Sequence, residues 1–286
     1  MISFDIINNK KINEIKKAHD ENIISIRNYF DNTSKNDLIM SLSALDNNIK
    51  IWNSYNFICL LNIKKVNKGG TLLSACFLNE NNEIYILTSN RNFNTNIEYI
   101  KAYDLNGNKI KEINNSNNNT FFIDNYFDKK MSNNYIITGN EGYSISYDYN
   151  NNQIYHKYND LNRFYSFSRS LIVNDNDEII KLIEANDDGI IKIWNFHSGN
   201  LIKKIKICDD YICGLCLWNK DYILVGCYNK IIKLIDLNKD ILNTKDLISH
   251  SHSVITVKKF FHPKYGNCIL SQGLGKEQIK LWGLKE

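Results

Sequence analysis

The stretch DDGIIKIWN, residues 187–195, sets an acidic turn before a run that alternates apolar and polar side chains and ends in tryptophan. Asp-Gly suits a tight reversal, and alternation at every second residue is the pattern of a strand. Three other stretches share its form: DNNIKIWN at 46–53, NKIIKLID at 229–236 and KEQIKLWG at 276–283. Aligned on their last two residues, the series extends to Phe4-Asp5, Trp52-Asn53, Tyr103-Asp104, Tyr147-Asp148, Trp194-Asn195, Ile235-Asp236 and Trp282-Gly283. Successive members lie 48, 51, 44, 47, 41 and 47 residues apart (from 4 to 52, from 52 to 103, and so on).

A recurrence in the forties, filled with short alternating segments, predicts a repeat architecture with one small sheet per unit. In the fourth unit, strands are expected at 164–173, 178–186, 190–195 and 200–208; in the fifth, at 211–219, 222–228, 231–237 and 246–250. The inner strands are nearly continuous Ile, Leu, Val and Tyr, so each sheet must bury both faces. A lone sheet cannot do that, and the units have to pack on one another. Helical periodicity is nearly absent; only residues 11–18 space their apolar side chains as a helix would.

The chain has 286 residues, 43% of them hydrophobic, which suffices for a large core. Its net charge of +4 comes from 35 basic and 31 acidic residues, with lysines scattered along the strands rather than clustered. Neither a nucleic-acid surface nor an anionic-membrane surface is expected from that distribution. Asparagine makes up about one residue in six, with runs such as INNSNNNT (113–120) between strand-like segments, where it suits turns. Together with abundant Lys and Ile and four Arg, this resembles the bias of an AT-rich eukaryotic genome. The seven cysteines are an odd number and mostly sit within strand patterns, which points to reduced thiols and an intracellular setting, cytoplasmic or nuclear. The N-terminus MISFDIINNKK has no signal-peptide pattern, and no apolar run is long enough to span a bilayer. The sequons at Asn32, Asn114 and Asn118 are then chance matches in an Asn-rich chain.

Two further stretches carry a family resemblance. KAHDENIIS (17–25) and ISHSHSVIT (248–256) place His19 and His250 four residues before Ile23 and Val254, the first apolar residues of a strand. FHPKYGNCILSQG (261–273) supplies a turn with the only proline, Pro263. With the Trp-Asn and Tyr-Asp strand ends, the chain resembles the WD-repeat β-propellers, in which Gly-His precedes the first strand of a blade and Trp-Asp closes the third. Ala18 and Ser249 stand where the family has glycine, and the likeness is stronger over 178–284 and 38–53 than over 66–160. It implies an all-β fold of four-stranded antiparallel blades, residues 1–286 forming a single domain. Six blades closed by an N-terminal strand (ISFDII or KINEIKK) are expected; a seven-bladed ring with an incomplete blade, or a segment of a longer protein, stays open. It also implies a buried hydrogen-bonded tetrad, mapping to His19, Ser43, Asp46 and Trp52, and in the last blade to His250, Ser271 and Trp282 with no Asp in the fourth place.

Catalytic, cofactor and metal readings find little purchase. Cys213 and Cys216 form a C-x-x-C, but residues three apart in a strand face opposite sides, and no second pair accompanies them. His156, His197, His252 and His262 come without a nucleophile motif. Asp187-Asp188 and Asp209-Asp210 read as solvated turn formers. NKGGT (67–71) lacks the Lys-Ser/Thr ending of a phosphate loop. Arg27, Arg91, Arg163 and Arg169 are not adjacent, unlike the paired arginines of phosphoinositide-binding relatives. The expectation is therefore a non-enzymatic protein-interaction scaffold or adaptor with no cofactor and one or more protein or peptide partners. A propeller-based hydrolase and an RNA-binding propeller are the alternatives. Arg27, Arg91, Trp218 and the turn Asn186-Asp187-Asp188 are the places to look for docking.

Overall fold

In a computed structural model of the chain, the described residues are 1–8, 10–66, 70–92, 99–114, 120–140, 142–159, 169–175, 179–239, 244–275 and 279–283. They contain strands and turns and no helix. A short hairpin pairs β1 (Ile2–Asp5) with β2 (Lys10–Glu14), so residues 11–14 are extended rather than helical. Six antiparallel sheets follow in chain order. Five of them have four strands: β3 (Ile23–Asp31), β4 (Asn36–Ser43), β5 (Asn48–Asn53), β6 (Cys59–Ile63); β7 (Gly70–Glu80), β8 (Glu83–Asn92), β9 (Tyr99–Tyr103), β10 (Lys109–Asn114); β11 (Phe122–Asp128), β12 (Asn133–Gly139), β13 (Ser144–Asp148), β14 (Gln153–Tyr158); β15 (Arg169–Asp175), β16 (Ile179–Ala185), β17 (Ile190–Asn195), β18 (Leu201–Lys206); and β19 (Ile212–Leu217), β20 (Tyr222–Cys227), β21 (Ile231–Asp236), β22 (Thr244–Ser249). The sixth sheet pairs β23 (Val254–His262), β24 (Gly266–Gly273) and β25 (Ile279–Gly283).

The chain divides into two compact units, Met1–Asn140 with Ser146–Ile154, and Glu141–Ile145 with Tyr155–Glu286. In the first, Met40, Leu42, Ile49 and Ile51 of β4 and β5 meet Leu72, Ala75, Phe77 and Ile86 of β7 and β8. In the second, Ile183, Ile191 and Ile193 of β16 and β17 meet Ile212, Ile223 and Val225 of β19 and β20. Each such aliphatic side chain stabilises by about 1.5–3 kcal/mol when taken out of water, which is why the inner strands tolerate so few polar residues.

The strand-end dipeptide has a mechanical reason. Its second residue caps the turn to the next strand: Asp5, Asn53, Asp104, Asp148, Asn195 and Asp236 each accept a backbone N–H two or three residues on, at 2.9–3.1 Å. Gly189 ends the Asp187-Asp188 turn ahead of β17. Its φ is 72°, and a Cβ there would meet the carbonyl oxygen of Cys208 at 2.0 Å, so no other residue fits without moving the backbone.

The N-terminal segment, expected to supply a closing strand, forms a hairpin. The ladder of β1 runs to β2, and among the described residues the sixth sheet has the order β23-β24-β25. The hairpin satisfies itself locally: the N-terminal ammonium donates to the Ile15 carbonyl at 2.8 Å, and Asp5 accepts from the backbone of Ile7 and Asn8 across the turn. Closing so short a loop costs little entropy.

Candidate functional site

The polar side chains inside the sheets form a repeated local device. In the first four-stranded sheet, the Trp52 indole donates from Nε1 to Ser41 Oγ at 2.8 Å. Ser41 Oγ lies 2.8 Å from His19 Nε2, and His19 Nδ1 lies 3.0 Å from Asp46 Oδ2. One neutral tautomer satisfies every link: Nδ1–H donates to Asp46, while Nε2 accepts from the Ser41 hydroxyl. The serine here is Ser41, not the expected Ser43. Both project from the same face of β4, but Trp52 lies across the ladder from Ile39, so its indole reaches one same-face step, to Ser41, and not two. Ser43 is fully buried, and its hydroxyl has no hydrogen-bond partner among the described residues.

The sixth sheet repeats the device through His250, Ser271 and Trp282. Trp282 Nε1 donates to Ser271 Oγ at 2.8 Å, and Ser271 Oγ is 2.8 Å from His250 Nε2. A third copy uses a residue type that sequence reasoning missed: Trp194 Nε1 donates to Glu184 Oε2 at 3.1 Å, and the Ser144 hydroxyl donates to Oε1 at 2.9 Å. Glu184 is fully buried, with buried Lys192 directly across the ladder. Where Ile235 stands in place of tryptophan, the position two beyond its ladder partner Ile223 is Val225. In that sheet donor and acceptor are thus both replaced by aliphatics, which avoids the cost of an unpaired buried polar group. Scattered strand lysines find use as well: Lys50 donates to the Ala18 carbonyl at 2.7 Å and Lys101 to that of Val66 at 3.3 Å.

The places named for docking fare differently. Arg27 Nη1 is 3.6 Å from Asp124 Oδ2, and its guanidinium lies 5.7 Å from the centre of the Phe122 ring. The side chain of Arg91 lies outside the described residues, as do Arg163, Asn118, residues 164–168 of the expected fourth-unit strand and the NKG of residues 67–69. Trp218 is half-buried beneath Lys259, whose ammonium lies 5.1 Å from the ring and donates to the Trp218 carbonyl. The turn Asn186-Asp187-Asp188 is held by backbone bonds from Gly189 and Ile212 to the Asn186 carbonyl and by Ile190 N–H donating to Asp188 at 3.0 Å.

Beside that turn lies an exposed aromatic pair that the sequence did not single out. Tyr211, just before β19, and Tyr228, just after β20, have ring centres 5.5 Å apart at 71°, and they are 50% and 42% exposed. Tyr228 N–H donates to the Tyr211 carbonyl at 2.9 Å, so the backbone beneath the rings is fixed.

The other chemistry-bearing residues are dispersed. Cys213 and Cys216 sit on β19, and all seven cysteines are free thiols. Tyr155 and His197 bond at 3.0 Å, His156 Nε2 lies against the His197 carbonyl, and His262 Nδ1 accepts from the Lys264 backbone. Among the described residues no group of three His, Cys, Asp or Glu side chains is placed to hold a metal, and no helix is long and apolar enough to cross a membrane.

Six sheets of this strand order define a β-propeller. No family model and no curated protein matches the sequence. Solved structures do match. The WD40 β-propeller domain of Doa1 superposes with a TM-score of 0.65 at 18% identity, over 89% of this chain and 77% of that one. The computationally designed Ika8 protein gives 0.63 at 15%, over 93% and 72%. At such identities the likeness speaks for the fold, and the fold is a WD-repeat-like β-propeller.

Proposed function

We propose that residues 1–286 act as one propeller domain whose role is that of a non-enzymatic scaffold or adaptor, binding one or more proteins or peptides without a cofactor in the cytoplasm or nucleus. The fold supports an interaction role in general terms: rigid sheets hold their turns in fixed places, and turns so held are where binding surfaces form. The observation that carries the reading is the Tyr211–Tyr228 pair, two large amphipathic rings exposed on a backbone that hydrogen bonds hold still. Aromatic anchors with little entropy left to lose are the usual centres of binding energy.

The test is affinity isolation of the tagged chain with mass spectrometry, alongside a Tyr211→Ser, Tyr228→Ser double variant. The expected result is a reproducible partner set whose affinity for the variant falls by about 30-fold, the equivalent of ~2 kcal/mol for a hot-spot pair, with the circular dichroism unchanged. Repeated recovery of the chain alone, at high yield, counts against a scaffold. Partners that bind the double variant normally move the docking site elsewhere.

A further inference from the structure

We propose that the lysine-rich corner where the hairpins of the fifth and sixth sheets meet is a docking surface for an acidic peptide segment. β19 and β23 run side by side in the same direction: Thr256 and Val257 lie against Gly214, and the Lys259 N–H donates to Cys216 Sγ at 3.2 Å. The β19–β20 and β23–β24 turns therefore open at the same end. Lys220, Lys259 and Lys264, drawn from the two sheets, are all exposed there. Phe261 and Tyr265 stand beside them, 67% and 56% exposed. Half-buried Trp218 forms the floor, packed on the cluster of Leu224, Val257 and Ile269.

The corner is positive because the acids at this end are already engaged. Asp221 Oδ1 accepts from Asn238 Nδ2 at 2.8 Å, and Asp236 accepts from the Asn238 backbone and lies 3.7 Å from Lys239 Nζ. Lys259 instead donates to the Trp218 carbonyl, 5.1 Å from that ring, and the Lys264 ammonium lies 5.1 Å from the Tyr265 ring. An ammonium has three donors, so each keeps hydrogens for a carboxylate brought from outside. The same contacts tell against nucleic acid. Single-stranded RNA needs open ring faces on which its bases can stack. Here Lys259 lies over Trp218, while Tyr265 carries Lys264 and stacks on His262 at 4.7 Å. The cations are lysines, point charges rather than the planar fork that grips a phosphate. Carboxylates on an extended segment can reach them, with one apolar side chain covering Phe261. Tyr211 and Tyr228 lie at the opposite end of β19 and β20, so the two surfaces are separate. The inference rests on the scaffold reading only in that its occupant is a polypeptide.

The experiment follows the fluorescence anisotropy of a short fluorescein-labelled peptide, Glu and Asp around a central Leu-Phe pair, as the full chain is added. Saturable binding is expected, weakening as salt rises. The same peptide with Lys in place of its acids, and oligouridine, should both bind more weakly. A Lys220→Glu, Lys259→Glu, Lys264→Glu variant should lose about 10-fold or more in affinity, with unchanged circular dichroism. Arginine at the same three positions keeps the charge and should keep most of the affinity. Phe261→Ser should weaken binding less than the charge reversal does. The Tyr211→Ser, Tyr228→Ser variant should bind the peptide as the unaltered chain does, so failure at one surface is told apart from failure at the other. No saturable binding of the acidic peptide, undiminished binding by the glutamate variant, or an equal loss in the arginine variant would each overturn the proposal. Oligouridine bound more tightly than the peptide, and released by the glutamate variant, would overturn it in favour of nucleic acid.

Discussion

The sheet β3–β6 and the sheet β23–β25 carry the same His–Ser–Trp hydrogen bonds at the same lengths, yet they differ in the strands around them. Where β6 covers β5, Ile49 is 0% exposed; on β25 the corresponding Ile279, three residues before its tryptophan, is 62% exposed. Ile191 and Ile232, at the same place in other four-stranded sheets, are fully buried. Trp52 is buried, while Trp282 is only half-buried. The hydrogen-bonded device therefore needs only the second strand, the third strand and the turn ahead of the first. Burial of the third strand is a separate matter, supplied by the fourth. Polar order and apolar burial are decoupled in this molecule, and mutation can measure each in turn.

The largest contrast should come from tryptophan. Trp52→Ala should destabilise by about 3–5 kcal/mol, as buried indoles do, and Trp282→Ala by clearly less, read from urea unfolding midpoints. Equal losses would mean that the sixth sheet is covered in solution. Next comes the isoleucine pair: Ile49→Ala should cost roughly 2–5 kcal/mol, and Ile279→Ala about 0.5 kcal/mol or less, as at an exposed position. A costly Ile279→Ala would again erase the comparison. The smallest contrast tests which serine belongs to the network. Ser41→Ala leaves His19 Nε2 and Trp52 Nε1 unsatisfied and should cost about 1–3 kcal/mol. Ser43→Ala removes a hydroxyl that has no partner among the described residues, and should be neutral or slightly stabilising. If Ser43→Ala were the worse of the two, the network would run through Ser43 after all.

The alternation and the strand-end dipeptides made the sheets readable, because a period of two and a turn former are local signals. β16, β17, β20 and β21 fall within one or two residues of their expected bounds. Choosing between Ser41 and Ser43 needed ladder register, which a single strand does not encode. A signal did exist: the serine precedes its tryptophan by 11 residues in both sheets, Ser41 to Trp52 and Ser271 to Trp282. Glu184, 10 residues before Trp194, was invisible for another reason: a carboxylate in a strand reads as solvent-facing until its burial is seen. Tyr211 and Tyr228 escaped notice because they are 17 positions apart, and only the pairing of β19 with β20 brings them together.

The turn caps at the strand ends bear on how this sequence could drift. Asp and Asn present the same acceptor oxygen at the same reach, and the chain uses both: Asn53 and Asn195 do what Asp104, Asp148 and Asp236 do. A nucleotide bias that converts one into the other thus meets no steric resistance at these sites. What it removes is charge, and where hydrogen bonds from Asn8 and Ile7 already hold the carboxyl of Asp5 below the usual range, that charge is in place through mild acid. Codon pressure can therefore retune the protein's surface potential turn by turn while the sheets beneath stay as they are.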